Sequence, residues 1–228
     1  MSEHLIMEAK DLKRGFPMGG DLFWAVNGVS LKVPQNKLTI LKGRSGSGKT
    51  TLMNMLGTLD SPTSGEVIFD GKSISKLSAK KRDHFRRTNI GFVFQSTALI
   101  GMMTAYENVD FILRISGFPA KNRKSRVEAC LERVGLAGRM HHLPPELSGG
   151  EQQRVAIARA IAHKPKIIFA DEPTAELDTN TGLQVIKIFR DLIEIEGATI
   201  VMTTHDPGLI DMADKVYELA DGVIINEL

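Results

Sequence analysis

The sequence predicts an α/β fold with a mostly parallel sheet, and two observations support this prediction. A short, apolar and β-branched stretch at 37–42 leads into a glycine-rich loop at 43–50 and then into a helical pattern at 51–56. After residue 165, stretches typical of strands alternate with stretches typical of helices. Because crossover helices join parallel strands, this alternation favours a mostly parallel sheet.

The glycine-rich loop carries the most specific chemistry. It reads Gly-Arg-Ser-Gly-Ser-Gly-Lys-Thr over 43–50 and matches G-x-x-x-x-G-K-[ST] at every fixed position. Glycines let backbone N–H groups turn toward one anion, and the following helix directs its positive end to the same place. We expect Lys49 to reach the β- and γ-phosphates of a nucleotide and Thr50 to ligate Mg²⁺. A turn that needs glycine only for positive φ angles is the simpler alternative, but the flanking strand and helix favour nucleotide binding.

The N-terminal part predicts an antiparallel pair of strands. Residues 5–10 and 24–33 have strand character, and a glycine-rich hairpin at 18–21 joins them. Phe16 lies just before this turn. An exposed aromatic side chain there would be able to stack on adenine, whereas a residue of the local core would be buried. The pattern alone leaves both interpretations open.

Strand signals stop between residues 96 and 147. Helical patterns occupy 104–116 and 125–134, with glycine and proline residues between and after them. This order predicts a helical insertion at 96–147. The insertion would separate two segments of one nucleotide-binding core, 1–95 and 148–228.

A second potential anion site lies at 147–153, where Leu-Ser-Gly-Gly-Glu-Gln-Gln opens a predicted helix. Ser148 and the two glycines after it occupy the position of a helix N-cap. The N-terminus of a helix presents free N–H groups and the positive end of its dipole. This segment is therefore a candidate for binding phosphate.

Polar residues also follow two predicted strands. Asp171 and Glu172 follow an apolar strand at 166–170, and His205 follows the strand at 199–204. Side chains alternate along a strand, so the two carboxylates are expected to point in different directions. Ligands of open α/β sheets bind at the carboxyl ends of strands. We therefore expect Asp171 to hold the Mg²⁺ shell, and Glu172 to face the γ-phosphate and polarise a water. His205 is either a structural hydrogen-bonding residue or a functional one at the same edge.

Bulk properties restrict the function classes. The 29 Lys and Arg residues nearly balance the 27 Asp and Glu residues, so no broad field for nucleic acid is implied. No stretch approaches about 18 consecutive apolar residues, and the N-terminus lacks the features of a signal peptide. The single cysteine, Cys130, lies in a helical pattern and is expected to be a buried structural thiol. We therefore expect a soluble, cytosolic protein.

Taken together, these motifs resemble those of the ATP-binding-cassette (ABC) ATPases. The matching positions are 43–50, Gln95, 147–153, Asp171 with Glu172, Leu177 with Asp178, and His205. The Leu-Ser-Gly-Gly-Glu-Gln-Gln stretch is the most specific of them, because other phosphate-loop enzymes lack it. Residues 53–66 and 105–109 are further similar to the branch of macrolide exporters and lipoprotein-releasing ATPases.

The resemblance implies a P-loop NTPase fold with a mostly parallel, RecA-like core sheet, an antiparallel β subdomain and an inserted helical subdomain. It also implies a homodimer with two ATP molecules between its subunits. The phosphate loop of one subunit would face the segment around Ser148 of the other. This arrangement is physically reasonable, because no arginine finger is evident in cis and a helix N-terminus carries about +0.5 of a charge.

The same resemblance implies roles for individual residues. The residues implied to contact ATP are Phe16, Gly43, Ser45, Gly46, Ser47, Gly48, Lys49, Thr50, Thr51, Ser148, Gly149, Gly150 and Glu151. Thr50, Gln95 and Asp171 are implied as the Mg²⁺ site. For catalysis, Glu172 polarises the water, Gln95 senses the γ-phosphate and Mg²⁺, and His205 is the switch histidine.

Since the sequence shows no membrane span, the resemblance implies that the permease is a separate polypeptide and that the cassette is peripheral on the inner face of the cell membrane. The apolar, Met-rich segment at 96–103 either contacts that permease or belongs to the core. Two rival hypotheses are a soluble cassette ATPase acting on DNA or ribosomes and a small-molecule kinase. The chain lacks the second cassette, coiled coil or zinc cysteines usual for the first. The second leaves the signature motif and Gln95 unexplained.

One loop departs from the pattern of the branch. Residues 174–178 read Thr-Ala-Glu-Leu-Asp, where the branch usually has Gly-Asn before Leu-Asp. Glu176 therefore adds a carboxylate near the implied subunit seam. This difference puts the usual hydrogen bonds across that seam in doubt, but not ATP binding.

Overall fold

The computed structural model describes residues 4–228. Its strands are β1 (Leu5–Met18), β2 (Asp21–Pro34), β3 (Leu38–Lys42), β4 (Ser64–Phe69), β5 (Lys72–Ser73), β6 (Ile90–Val93), β7 (Ile167–Asp171), β8 (Ile200–Thr203), β9 (Lys215–Ala220) and β10 (Val223–Glu227). Its α-helices are α1 (Lys49–Leu56), α2 (Ala79–Asn89), α3 (Ala105–Ile115), α4 (Ala120–Arg133), α5 (Gly149–Ile161), α6 (Thr179–Glu194) and α7 (Pro207–Ile210). None of the helices within this range is both long enough and apolar enough to cross a membrane.

The contacts within the chain divide it into two compact units. The first combines the chain up to Asp83 with Gly197–Leu228, and the second is His84–Glu196. The predicted helical insertion, 96–147, lies inside the second unit. Its boundaries with the two core segments remain a prediction.

The first unit contains an antiparallel sheet in the order β2-β1-β4-β5. The two long strands form a hairpin whose turn is Gly19 and Gly20, both with positive φ (59° and 99°). These strands extend well beyond the predicted 5–10 and 24–33. Their pairing continues through several register shifts up to the turn, and such bulges break the alternation that a sequence pattern detects.

The first unit also contains the strands β10, β9, β3 and β8 in that spatial order. β3 is parallel to β8 on one side and to β9 on the other, while β10 is antiparallel to β9. Four consecutive residues of β3, Leu38 to Leu41, are buried, so both faces of the strand are covered, as expected of a central parallel strand. β3 leads directly into the glycine-rich loop at 43–50.

The second unit contains the parallel strands β6 and β7 and four helices that begin and end within it, α3 to α6. Its core includes Val109, Leu113, Leu131, Val155 and Ile157, none of which is measurably exposed. α4 begins at Ala120, five residues before the predicted start. The residues from 120 to 124 carry no apolar periodicity, so the hydrophobic pattern misses this first turn.

Two smaller predictions have clear outcomes. Cys130 is fully buried, as predicted, and its burial raises the pKa of the thiol. The helix predicted at 207–213 ends at Ile210. Beyond this point the amides of Met212 and Ala213 donate to carbonyls three residues earlier, so the chain tightens and leaves the α-helix.

Candidate functional site

The glycine-rich loop connects β3 to α1, and its glycines are required by the fold. Gly43, Gly46 and Gly48 have φ of 154°, 80° and 98°. A Cβ at Gly43 would lie 2.3 Å from the carbonyl oxygen of Leu219, and one at Gly48 would lie 2.3 Å from that of Ala25. A Cβ at Gly46 would meet no described atom within 4 Å. The loop is therefore tightly packed at both ends and open at its middle.

Lys49 and Ser47 give this loop its polar interior. The Lys49 side chain is only 6% exposed, and its Nζ donates to the carbonyl oxygens of Gly43 at 2.6 Å and Arg44 at 3.0 Å. The buried Ser47 Oγ has no hydrogen-bond partner among residues 4–228. A buried ammonium and an unpartnered hydroxyl in a glycine loop fit a polyphosphate group, which would supply acceptors for both. Lys49 is the first residue of α1, and Thr50 and Thr51 are the next two.

The acidic pair lies at the end of β7 in the second unit. Asp171 is the last residue of the strand, and Glu172 lies outside it with φ of 43°. The alternation of strand side chains therefore does not extend to Glu172. A left-handed conformation is uncommon for a residue with a Cβ and concentrates at functional sites. Both side chains are partly buried.

The N-terminus of α5 is capped as predicted. The Ser148 Oγ accepts from the Glu151 amide at 3.3 Å, and Glu151 Oε2 accepts from the Ser148 amide at 2.8 Å. The backbone hydrogen bond to Ser148 is the main reason that the pKa of Glu151 lies below its usual range. Within this chain, Glu151 therefore serves the cap.

The two glycines of this cap have different surroundings. A Cβ at Gly150 would lie 1.9 Å from Cγ2 of Thr181 on α6, whereas a Cβ at Gly149 would meet no described atom within 4 Å. The Thr181 Oγ1 donates to Asp178 at 2.6 Å, which fixes that side chain. Gly150 is thus required by packing in this unit, while Gly149 is exposed and unhindered.

Gln95 lies in the exposed loop that follows β6. Its Nε2 donates to Oε1 of Glu176 at 3.4 Å. A cavity of about 200 Å³ lies beside this pair, and its lining includes Gly149 and Gln153. The structure therefore brings Gln95 together with the start of α5 and with Glu176, which differs from the pattern of the branch.

Two side chains to which the sequence analysis assigned no role hold the segment after Gln95. Arg159 on α5 donates to the carbonyl oxygens of Ala98 at 2.6 Å and Thr97 at 2.8 Å. The Asn108 side chain accepts from the Ile100 amide and donates to the carbonyl oxygens of Ile100, Met103 and Thr104. The contacts of Arg159 with Thr97 and Ala98 join residues about sixty positions apart, so no local sequence pattern marks them.

Phe16 and His205 belong to the first unit. Phe16 lies in β1 near the hairpin turn and is 38% exposed, so it is not a buried core residue. His205 is exposed in the loop between β8 and α7. The neighbouring Asp206 caps α7 through the amides of Gly208 and Leu209. Each unit thus carries its own part of the predicted site residues.

Comparison with known proteins identifies the family. The model of the ABC transporter family matches residues 26–175. The chain is 43% identical to the lipoprotein-releasing system ATP-binding protein LolD 2 of Rhodopirellula baltica, over 98% of this chain and 90% of that protein. It is also 43% identical to the macrolide export ATP-binding/permease protein MacB of Syntrophobacter fumaroxidans, over 96% of this chain but only 31% of the longer protein.

A solved structure supports the same assignment. The dimeric post-hydrolysis state of the ATP-binding cassette MJ0796, bound to ADP and Pi, superposes with a TM-score of 0.90. The two chains are 37% identical, and the match covers 97% of each. The predicted fold class and the predicted resemblance are confirmed.

Proposed function

This chain belongs to the ABC transporter family, and from that premise we propose that its ATPase cycle drives a separate membrane permease through a homodimer that closes on ATP. The chain is an ATP-binding and ATP-hydrolysing subunit. The observation that carries the proposal is the pairing of a complete phosphate loop with a capped α5 N-terminus whose Gly149 is exposed. Within one chain, binding of ATP by the phosphate loop gives no reason for a second potential phosphate site at the N-terminus of α5.

In the proposed site, the loop glycines and the hydroxyls of Ser45, Ser47 and Thr51 bind the phosphates of ATP. Lys49 exchanges its present acceptors, the carbonyl oxygens of Gly43 and Arg44, for phosphate oxygens. The exchange is favourable because a charge-assisted hydrogen bond to an anion is stronger than one to a neutral carbonyl. Phe16 stacks on the adenine.

Thr50, Gln95 and Asp171 are the residues that we propose to hold Mg²⁺. Their oxygen atoms are the ligands that this ion prefers. When bound, Mg²⁺ neutralises charge on the β- and γ-phosphates. The chain's own residues position the polyphosphate and the water.

Glu172 is the proposed base that polarises the attacking water. Its position directly after β7 and its left-handed backbone restrict where its carboxylate can lie. His205 is proposed to act with it as the switch histidine, and Gln95 as the sensor that reports the γ-phosphate to the segment held by Arg159 and Asn108.

The homodimer is proposed because the α5 N-terminus offers a phosphate site that Ser148 and Gly149 leave exposed. A second subunit's ATP would meet the free N–H groups of this helix and its positive dipole end. The dimeric state of MJ0796 with ADP and Pi supports this arrangement. Gly150 and Glu151 are proposed to contact this ATP together with Ser148 and Gly149, and Glu151 also holds the cap.

The permease is proposed to be of the macrolide-exporter or lipoprotein-release type, acting in export or extraction, because of the similarity to MacB and LolD 2. The chain would then be peripheral on the cytoplasmic face of the cell membrane. Its contact surface would include Met102, which is 87% exposed, and the partly exposed Leu99, Ile100 and Met103.

The decisive experiment compares Glu172→Gln with the unaltered protein in saturating Mg·ATP by size-exclusion chromatography and ATPase assay. We expect the variant to bind ATP, to elute as a dimer and to hydrolyse about 10²–10⁴-fold more slowly, since it lacks the base. The double variant with Lys49→Ala should stay monomeric, because it lacks the ammonium charge that contacts the phosphates. A monomeric Glu172→Gln protein with ATP bound would refute the proposed dimer cycle.

A further inference from the structure

Arg14 lies against the aromatic ring proposed to stack on adenine. Its guanidinium carbon is 4.5 Å from the centroid of the Phe16 ring, within the range of a cation–π interaction. The register between β1 and β2 shifts between Arg14 and Gly15, so it is this contact, and not strand alternation, that shows the two side chains to lie together. The ring remains 38% exposed, which leaves surface for a flat ligand.

A second contact fixes the Arg14 side chain. Its Nε donates to Oδ2 of Asp60 at 2.7 Å. The two side chains are only 27% and 30% exposed to solvent. Such a charge-assisted bond holds the guanidinium plane in one orientation. Arg14 is therefore held by a carboxylate and lies over the Phe16 ring at the same time.

Asp60 in turn is tied to the helix of the phosphate loop. Its amide donates to the carbonyl oxygen of Asn54 on α1 at 3.1 Å. Its Oδ1 accepts from the Ser61 amide at 2.7 Å, which fixes the carboxylate. A continuous series of contacts thus runs from the aromatic ring through Arg14 to the helix that begins at Lys49.

We propose that Arg14 is a positioning residue for the adenine base. It holds the Phe16 ring at a fixed distance from the phosphate loop, so that one ATP molecule can meet both at once. This inference depends on the proposed ATP site, in which Phe16 stacks on the base. Phenylalanine has no polar atom that could fix its ring, and the guanidinium supplies that constraint.

The test separates the base from the phosphates. Binding of ATP and of inorganic tripolyphosphate, which has no base, is measured by calorimetry for the unaltered protein, Arg14→Met, Arg14→Lys and Phe16→Ala. Arg14→Met keeps the length of the side chain but removes its charge. We expect it to weaken ATP binding roughly three- to tenfold and to leave tripolyphosphate binding unchanged.

Two further comparisons make the assignment specific. Arg14→Lys should recover part of the ATP affinity, because it restores a cation over the ring. In the Phe16→Ala background, Arg14→Met should cause no additional loss, because the ring that Arg14 positions is gone. Lys10→Met, which removes an exposed charge from the same strand, is the matched control and should bind both ligands normally.

Three results would overturn the inference. Unchanged or tighter ATP binding by Arg14→Met would show that the guanidinium is irrelevant or covers the face that the base needs. An equal loss of tripolyphosphate binding would show that Arg14 supports the loop alone. If the unaltered protein bound neither ligand, the proposed ATP site would fail as well, and this result is distinct from the other two.

Discussion

The Nε2 of Gln95 lies 3.4 Å from Oε1 of Glu176. A carboxylate only accepts hydrogen bonds, so it fixes which end of the Gln95 amide faces it. The amide oxygen, which is the atom proposed to ligate Mg²⁺, is therefore directed away from Glu176. This contact gives a physical role to Glu176, which stands where the branch usually has Asn.

Replacing Glu176 should therefore change the magnesium requirement. In Glu176→Ala we expect the Mg²⁺ concentration for half-maximal ATPase activity to rise about 2- to 10-fold, the equivalent of one hydrogen bond. Binding of ATP in EDTA should stay the same. Calorimetry and a Mg²⁺ titration of activity make the comparison, with Glu194→Ala as the control for loss of an exposed carboxylate. An unaltered Mg²⁺ dependence would show that the contact of Glu176 with Gln95 does not affect the use of Mg²⁺.

The two glycines at the start of α5 should respond differently to the same added methyl group. Gly150→Ala forces a Cβ against the fixed Thr181 side chain, so we expect it to lower the free energy of unfolding by about 1–3 kcal/mol. Thr181→Ser removes the obstructing methyl group and should restore stability. Urea denaturation measures both effects.

Gly149→Ala meets open space within the chain, and we expect its stability to change by less than about 0.5 kcal/mol. In the proposed dimer this position faces the ATP of a second subunit, so its ATPase activity should nevertheless fall. A normal turnover rate in a protein of normal stability would argue that no second subunit approaches Gly149.

His163 should make the protein sensitive to acid. Its Nε2 lies 3.0 Å from the Ile90 carbonyl oxygen, its Nδ1 is buried without a partner among the described residues, and burial lowers its pKa. The neutral ring is therefore favoured in the folded state. The stability that this provides is present above a pH of about 6.5, the usual histidine pKa, and is lost as the pH falls toward the lower folded value.

We expect His163→Gln to lose less stability than the unaltered protein between pH 7.5 and 5.5, as measured by urea denaturation at both values. His84→Gln, at an exposed position, should reproduce the behaviour of the unaltered protein. Identical pH dependence in all three proteins would contradict a role for His163.

The exposed segment after Gln95 should be required for permease binding. Leu99→Asp combined with Met102→Asp should abolish co-purification with the permease from native membranes, because buried charges oppose an apolar contact. ATP hydrolysis by the isolated chain should be retained. The control pair, Leu183→Asp with Ile195→Asp, changes apolar residues that are 59% and 78% exposed elsewhere. Equal recovery of permease with both pairs would place the docking surface elsewhere.

Local patterns predicted much of this structure because the relevant forces act over a few residues. The phosphate loop between β3 and α1 and the Ser148 cap depend on neighbouring positions, and both are found as predicted. The conformation of Glu172 and the contacts of Gln95 with Glu176 and of Arg14 with Phe16 were not predictable in this way. They depend on side chains brought together by the fold or on one backbone angle, and neither leaves a periodic trace.

The amide of Asn108 has a consequence for how such a subunit can diversify. It is 1% exposed and ties down the main chain between residues 100 and 104 through four hydrogen bonds. Within the segment these bonds involve only backbone atoms, so they do not depend on the identity of its side chains. Substitutions at its exposed tip would therefore change the surface proposed to contact the permease, while the backbone that Asn108 holds stays the same.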